Sequence, residues 1–272
     1  MGAVIFFTYS SLRRAERGLD MAQNGCVGND VPELLVSNVG GAWRIGTAVH
    51  RAVGPWTPAV HELLTFLASR VDHVPRVLGF DDQGREVLTY LPGRVVDVDT
   101  ELLTNGQIES VVTWTRIFHE TVVDFIHPGP WRYAQLPNPT IIGHNDIAPY
   151  NVCFDGDRLV GVFDWDMAGP STPVLELAFL AWNCVPLWRD IGTDAAADRL
   201  ELITSTYAGV SAQAILSAVP LRIQRMLDWI PAGAAAGDPG LANLMAQGQL
   251  DRSQQSLDHL RRRIPDIANV CN

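Results

Sequence analysis

At Pro92-Gly93 the hydrophobic pattern of this 272-residue chain changes period. Before that point the apolar residues come in short runs. Glu33–Ser37, Ala42–Ile45 and Ala48–Ala52 are separated by Gly40-Gly41 and Gly46-Thr47, and each run reads as a strand closed by a turn. Arg76–Phe80 and Glu86–Leu91 flank Asp81-Asp82-Gln83-Gly84 and read as a hairpin. One helix interrupts them. It opens at Pro58 and aligns Val60, Leu63, Leu64 and Leu67 on one face.

After Pro92-Gly93 helical spacing dominates. Helices are predicted from about Gln107 to Phe125, then Thr172–Asn183, Leu200–Tyr207, Ala212–Trp229 and Leu241–Arg262. Among them lies one hairpin, with Val152–Phe154 and Leu159–Phe163 around Asp155-Gly156-Asp157. The expected fold class is therefore α+β and bilobal: a small, mainly antiparallel β lobe with one inserted helix (residues 30–91) and a larger, mostly helical lobe (residues 92–272). A ligand site is expected in the cleft between them. Residues 1–29 read as a poorly ordered extension, and Met21 is an alternative start.

Composition removes several classes. No apolar run approaches the roughly 20 residues of a membrane helix, and Ala3–Phe7 followed by Arg13, Arg14 and Arg17 has the wrong charge order for a secretory signal. Cys26, Cys153, Cys184 and Cys271 form no C-x-x-C pair and suit reduced thiols in a cytoplasm. A net charge of −10 argues against nucleic acid and would favour approach of a cationic small molecule, or simply keep the chain soluble. All 20 basic residues are arginine.

The densest polar segment is His144-Asn145-Asp146-Ile147-Ala148-Pro149-Tyr150-Asn151, followed by the hairpin and Phe163-Asp164-Trp165-Asp166. The first block has the H-x-D-x-x-x-x-N spacing of a kinase catalytic loop. Phosphoryl transfer accounts for these residue types. The charge on a γ-phosphate repels an incoming oxygen, and Mg²⁺, which favours hard oxygen ligands, relieves it. Asn151 and Asp164 offer an amide oxygen and a carboxylate for the metal. Asp146 would orient the acceptor hydroxyl and take its proton, with His144 bracing the loop. Asp155 and Asp157 make the hairpin turn; Asp166 is either a second ligand or a salt-bridge partner. A metal-dependent hydrolase could use His144, Asp146, Asp164 and Asp166, but it would need neither Asn151 at this spacing nor the β-rich lobe.

These two blocks, in this order, resemble the aminoglycoside phosphotransferase and choline kinase group, with the likeness running from about Pro32 to the last helices. The resemblance implies a protein-kinase-like fold, ATP and Mg²⁺ in the interlobe cleft, and a small-molecule hydroxyl as acceptor. It implies Asp146 as catalytic aspartate and Asn151 and Asp164 as metal ligands. It also implies that Thr89, Tyr90 and Leu91 form the hinge against which adenine lies, and that Glu176 braces the loop. Gly40 and Gly41 are candidates to cover the phosphates. Two departures stand out. Asn145 replaces a glycine common in the group, and the phosphate-binding lysine is missing. Arg51 stands near that lysine's place, Arg44 is its rival, and Glu62 is the acid of the helix that would pair with the cation. A non-catalytic nucleotide-binding protein on the same fold is the alternative. Trp165, Trp182, Trp188 and Trp229 read as core; Asp190, Asp228 and Asp238 are candidates for a substrate ammonium; Arg261–Arg263 suit a helix C-terminus.

Overall fold

The computed structural model describes residues 32–35, 41–133 and 136–271. The expected extension at 1–29 and Gly40 lie outside the described residues. Five strands form one antiparallel sheet in the order β1-β2-β3-β5-β4: β1 (Glu33–Leu35), β2 (Ala42–Ile45), β3 (Ala48–Arg51), β4 (Val77–Phe80) and β5 (Glu86–Thr89). Between β3 and β4 runs α1 (Thr57–Leu67), which starts on Pro58 and buries Ala59, Val60, Leu63, Leu64 and Leu67. This is the expected β lobe with its inserted helix.

The helical part begins with α2 (Asn105–Val122). Its start lies two residues before the periodic apolar pattern because Thr104 caps it: Thr104 Oγ1 accepts from the Gln107 N–H at 3.1 Å, while Gln107 Oε1 accepts from the Thr104 N–H at 3.0 Å. The hairpin β7 (Val152–Asp155) and β8 (Arg158–Val162) matches expectation. A second small sheet was not legible: β6 (Ile141–Gly143) pairs antiparallel with β9 (Gly169–Ser171). These strands have three residues each, too short for a periodic signal, and β9 contains Pro170.

Helix α3 (Pro173–Cys184) is apolar nearly all round and buried from Leu175 to Cys184, as a helix at the centre of a lobe must be. It packs against α5 (Ala212–Ala235). Two boundaries differ from the sequence reading. Helix α4 (Thr193–Tyr207) starts seven residues before Leu200, because its first buried positions are the small Ala196 and Ala197 rather than large apolar side chains. The single expected helix Leu241–Arg262 is two, α6 (Pro239–Ala246) and α7 (Gln249–Val270), broken where Gly248 takes φ +67°. Trp165, Trp182 and Trp188 are core residues, and Trp229 is partly buried against them.

The segment joining the two parts lies against the β7–β8 hairpin. Arg94 and Phe154 exchange backbone hydrogen bonds of 2.9 Å. A Cβ on Gly93 would lie 2.7 Å from Val160 Cγ2, and one on Gly161 would lie 2.8 Å from Leu91 Cβ. Both glycines are needed for this close approach. Among the described residues no single helix is long and apolar enough to cross a membrane.

Candidate active site

The loop between β6 and β7 carries the polar block His144–Asn151, and its shape is fixed from behind by Glu176 of α3. The two carboxylate oxygens accept from the backbone N–H groups of His144 and Asn145, each at 2.8 Å. Burial alone pushes the Glu176 carboxyl up. Hydrogen bonding and charge from His119, with His144 and Arg222 behind them, outweigh it and hold its pKa below the usual value. Gly143 is required here, since a Cβ would sit 2.6 Å from the Glu176 Cδ.

His144 is a brace rather than a base. Burial depresses its pKa, so the ring is neutral. Its Nδ1 accepts from the Asp146 N–H at 3.3 Å, and its Nε2–H donates to the Phe163 carbonyl at 3.1 Å. An amide can only donate and a carbonyl only accept, so these partners set the tautomer. The ring centroid lies 4.5 Å from that of Trp165. His144 thus ties the loop to the strand end that carries Asp164.

Asn145, the departure from glycine, takes φ +61°, which glycine or asparagine tolerates best. Its amide donates to the carbonyls of Met167 and Gly169, both at 3.1 Å, and its carbonyl accepts from Arg222 of α5 at 2.6 Å. The side chain therefore bonds across to β9, which a glycine could not do.

Asp146 is 7% exposed. Asn151 Nδ2 donates 2.7 Å to its Oδ2 and 3.0 Å to its carbonyl, and the Tyr150 hydroxyl lies 3.5 Å from Oδ1. Burial, then the charge of Asp164, push the Asp146 carboxyl well above the usual range; Arg222 and the Asn151 and Tyr150 hydrogen bonds oppose this without cancelling it. Asp164 sits in the left-handed region at φ +60°, just after β8.

Across from these groups stands Arg51 of β3. Its NH1 donates to Asp164 Oδ1 at 3.3 Å, its NH2 to Asp166 Oδ1, and its Nε to Glu86 Oε1 at 2.8 Å. Burial works against its charge, but Asp166, Asp164 and Glu86 outweigh burial and raise its pKa. Of the two arginine candidates, Arg51 alone reaches this cluster. Arg44 pairs with Glu33 at 3.4 Å and lies 4.1 Å over the Tyr90 ring. Glu62 does not meet Arg51; it is exposed and pairs with His127 at 3.3 Å. The acid that pairs with Arg51 is Glu86, and sequence reasoning missed it. The available signal was its position: Glu86 and Leu88 share the buried face of β5, an unusual place for a lone charge.

Arg132 was also missed. It donates to both Asp238 oxygens (2.8 and 2.9 Å), approaches Asp166 Oδ2 at 3.5 Å, and lies 4.5 Å over the Trp56 ring. Asp166 is thus held between two arginines. Of the acids considered for a substrate ammonium, Asp238 is taken by Arg132, Asp190 pairs with Arg263 at 3.2 Å, and Asp228 accepts from Gln224. At the expected hinge, the Thr89 and Tyr90 N–H groups already donate to the carbonyls of Arg76 and Thr47, and the Leu91 carbonyl lies 3.7 Å from Cys153 Sγ. Gly41 adopts φ +78° at the start of β2.

The donor set suits a hard divalent ion. Asn151 uses its amide nitrogen on Asp146, which turns its Oδ1 the other way, and Asp164 supplies a carboxylate. Together the structure brings Arg51, Asp146, Asn151 and Asp164 to one place, whereas the contacts of Gly41 are with Leu34 and Trp43.

Residues 130–212 match the model of the phosphotransferase enzyme family. The trifolitoxin immunity protein of Rhizobium leguminosarum bv. trifolii is 32% identical over 156 residues, which span 54% of this chain and 59% of that protein. Among solved structures, an amicoumacin kinase bound to AMP-PNP and Ca²⁺ aligns at TM-score 0.59 and 15% identity, covering 96% of this chain and 94% of that one. A choline/ethanolamine kinase family protein from Mesorhizobium loti aligns at TM-score 0.56 and 14% identity, over 87% and 92%. An aminoglycoside phosphotransferase from Streptomyces rimosus, in complex with ADP and streptomycin, aligns at TM-score 0.54 and 14% identity, over 78% and 95%. The fold and the matched family model are those of the group that the two motif blocks resemble.

Proposed function

We propose that this protein is an ATP- and Mg²⁺-dependent phosphotransferase that moves the γ-phosphoryl group onto a hydroxyl of a small molecule, with Asp146 as catalytic aspartate. The observation that carries this reading is the convergence of the Asn151–Asp146 hydrogen bond with the Arg51–Asp164 ion pair across one cleft. A hydrolase would use the acids but has no need of the amide or of a guanidinium brought in from the sheet.

The chain's own groups divide the work as follows. The Thr89–Leu91 segment lines the adenine side, with the Leu91 amide as donor, and Gly41 lets the backbone approach the phosphates. Arg51 holds phosphate oxygens with its terminal nitrogens. Asn151 Oδ1 and the Asp164 carboxylate hold the metal ion, which when bound supplies the charge neutralisation that a loose phosphoryl-transfer transition state demands. Asp146 orients the acceptor hydroxyl and takes its proton as the oxygen–phosphorus bond forms and ADP leaves. A carboxyl whose pKa is raised by burial is suited to receive that proton.

The immunity protein among the relatives, and the amicoumacin and streptomycin named with the structural neighbours, support an antibiotic-like acceptor, modified in the cytoplasm where ATP is supplied. The test is ADP release by purified protein with Mg²⁺ over a panel of hydroxylated antibiotics, choline-like alcohols and sugars, with Asp146→Ala as control. Acceptor-dependent turnover lost in the control supports the assignment. Turnover that persists in the control overturns the role of Asp146, and failure to bind Mg·ATP overturns the nucleotide site.

A further inference from the structure

Arg51 and Glu86 are direct cross-strand partners on β3 and β5. The Glu86 side chain is 3% exposed and both its oxygens are used: Oε1 accepts from Arg51 Nε at 2.8 Å, and Oε2 accepts from His61 Nε2 at 2.7 Å. His61 lies on α1, its ring 5.3 Å from that of Phe80. One buried carboxylate therefore links helix α1 to the cation of the cleft. Glu62, one residue further along α1, is turned by about 100° around the helix axis and cannot take this place.

We propose that Glu86, oriented by His61, is the positioning residue that aims the Arg51 guanidinium at the nucleotide phosphates; this rests on the phosphotransferase reading above. The geometry follows from using arginine in place of lysine. An ammonium offers a single nitrogen at the end of its chain. A guanidinium offers Nε at its side and two further nitrogens at its tip. A carboxylate in the same sheet can hold Nε while the tip projects beyond it as a two-pronged donor. In this structure that tip meets one oxygen of Asp164 and one of Asp166, so each terminal nitrogen already holds an anionic oxygen. Without its two cationic or donor partners Glu86 would be an uncompensated buried acid, so its placement is specific to holding them.

The test is titration of the full-length protein with Mg·ATP and, separately, with adenosine, which lacks the phosphates. Glu86→Gln weakens Mg·ATP by about tenfold, as expected for loss of one charge-assisted hydrogen bond, and leaves adenosine binding within about twofold. His61→Ala shifts Mg·ATP affinity in the same direction by a smaller factor. The double variant Arg51→Ala/Glu86→Gln binds no more weakly than Arg51→Ala alone, since both act through one guanidinium. Equal losses for Mg·ATP and adenosine, or additive losses in the double variant, overturn the proposal. If Glu86→Gln does not fold, His61→Ala with an unchanged melting temperature decides it, and wild-type Mg·ATP affinity in that variant overturns it. If the wild-type protein binds adenosine and Mg·ATP equally well, the phosphate site itself is refuted; if it binds Mg·ATP more tightly and only the variants are silent, the fault lies with Glu86 and His61.

Discussion

Asn151 donates 2.7 Å to Oδ2 of Asp146, the residue five positions before it, and so fixes which way the loop carboxylate faces. The bond also commits the Asn151 amide nitrogen to Asp146, which leaves its oxygen for the metal ion of the proposed mechanism. Replacing Asn151 by Ala removes both at once. We expect turnover to fall by at least about 100-fold, with Mg·ATP affinity weakened as well. Steady-state kinetics beside a nucleotide titration separates the two effects. Asp146→Ala, by contrast, should lose turnover while keeping Mg·ATP affinity.

Asp164→Ala removes the carboxylate expected to hold the metal. Mg·ATP should bind more weakly, while metal-free ATP, read in EDTA, is bound no worse than by wild type. Unchanged Mg·ATP affinity in this variant counts against Asp164 as a ligand.

Glu176 links loop geometry to acid stability. Its folded pKa lies below the unfolded value of about 4.3, so the unfolded chain binds more protons in that window. The stability it contributes is present above about pH 4.3 and is lost as pH falls through the lower, folded value. Glu176→Gln keeps one acceptor but turns an NH₂ group toward a backbone N–H. A loss of roughly 3 kcal/mol at neutral pH is expected, shrinking toward acid. Urea melts of both proteins between pH 3 and pH 7 measure it.

Arg132 binds Trp56, Asp166 and Asp238 together, and so joins the segment before α1 to the N-terminus of α6. Truncation to Ala should cost about 2 kcal/mol through the lost bidentate pair and the ring contact. The predicted signature is a lower urea midpoint with an unchanged slope.

Asn145→Gly restores the residue common in the resembled group and relieves any cost of the left-handed backbone, but it loses the bonds to Met167 and Gly169. We expect a loss of about 1 kcal/mol, and for Asn145→Ala a further loss of about 1 kcal/mol because alanine resists φ +61°. Thermal melts of the three proteins rank them.

Much of the fold was legible because its signals are local. The face of α1, the Asp155-Gly156-Asp157 hairpin and the capped start of α2 depend on neighbours within a few residues. The β6–β9 pair was not legible, because two three-residue strands gain their stability from each other across 25 intervening residues. Helix α4 was shortened in the reading because alanines fill its first buried turn.

The sequence by itself determined which residues could carry the chemistry. The spacing from His144 to Asn151 and on to Asp164 is a property of one continuous stretch, and a hairpin between fixed points leaves it little freedom. Tertiary structure alone decided the counter-charges. Arg51 meets Glu86 across two strands, Arg132 meets Asp238 from more than a hundred residues away, and Glu62 turns outward. Ion pairs depend on distance in space and on exclusion of water, and neither quantity is written in residue order until the chain has packed.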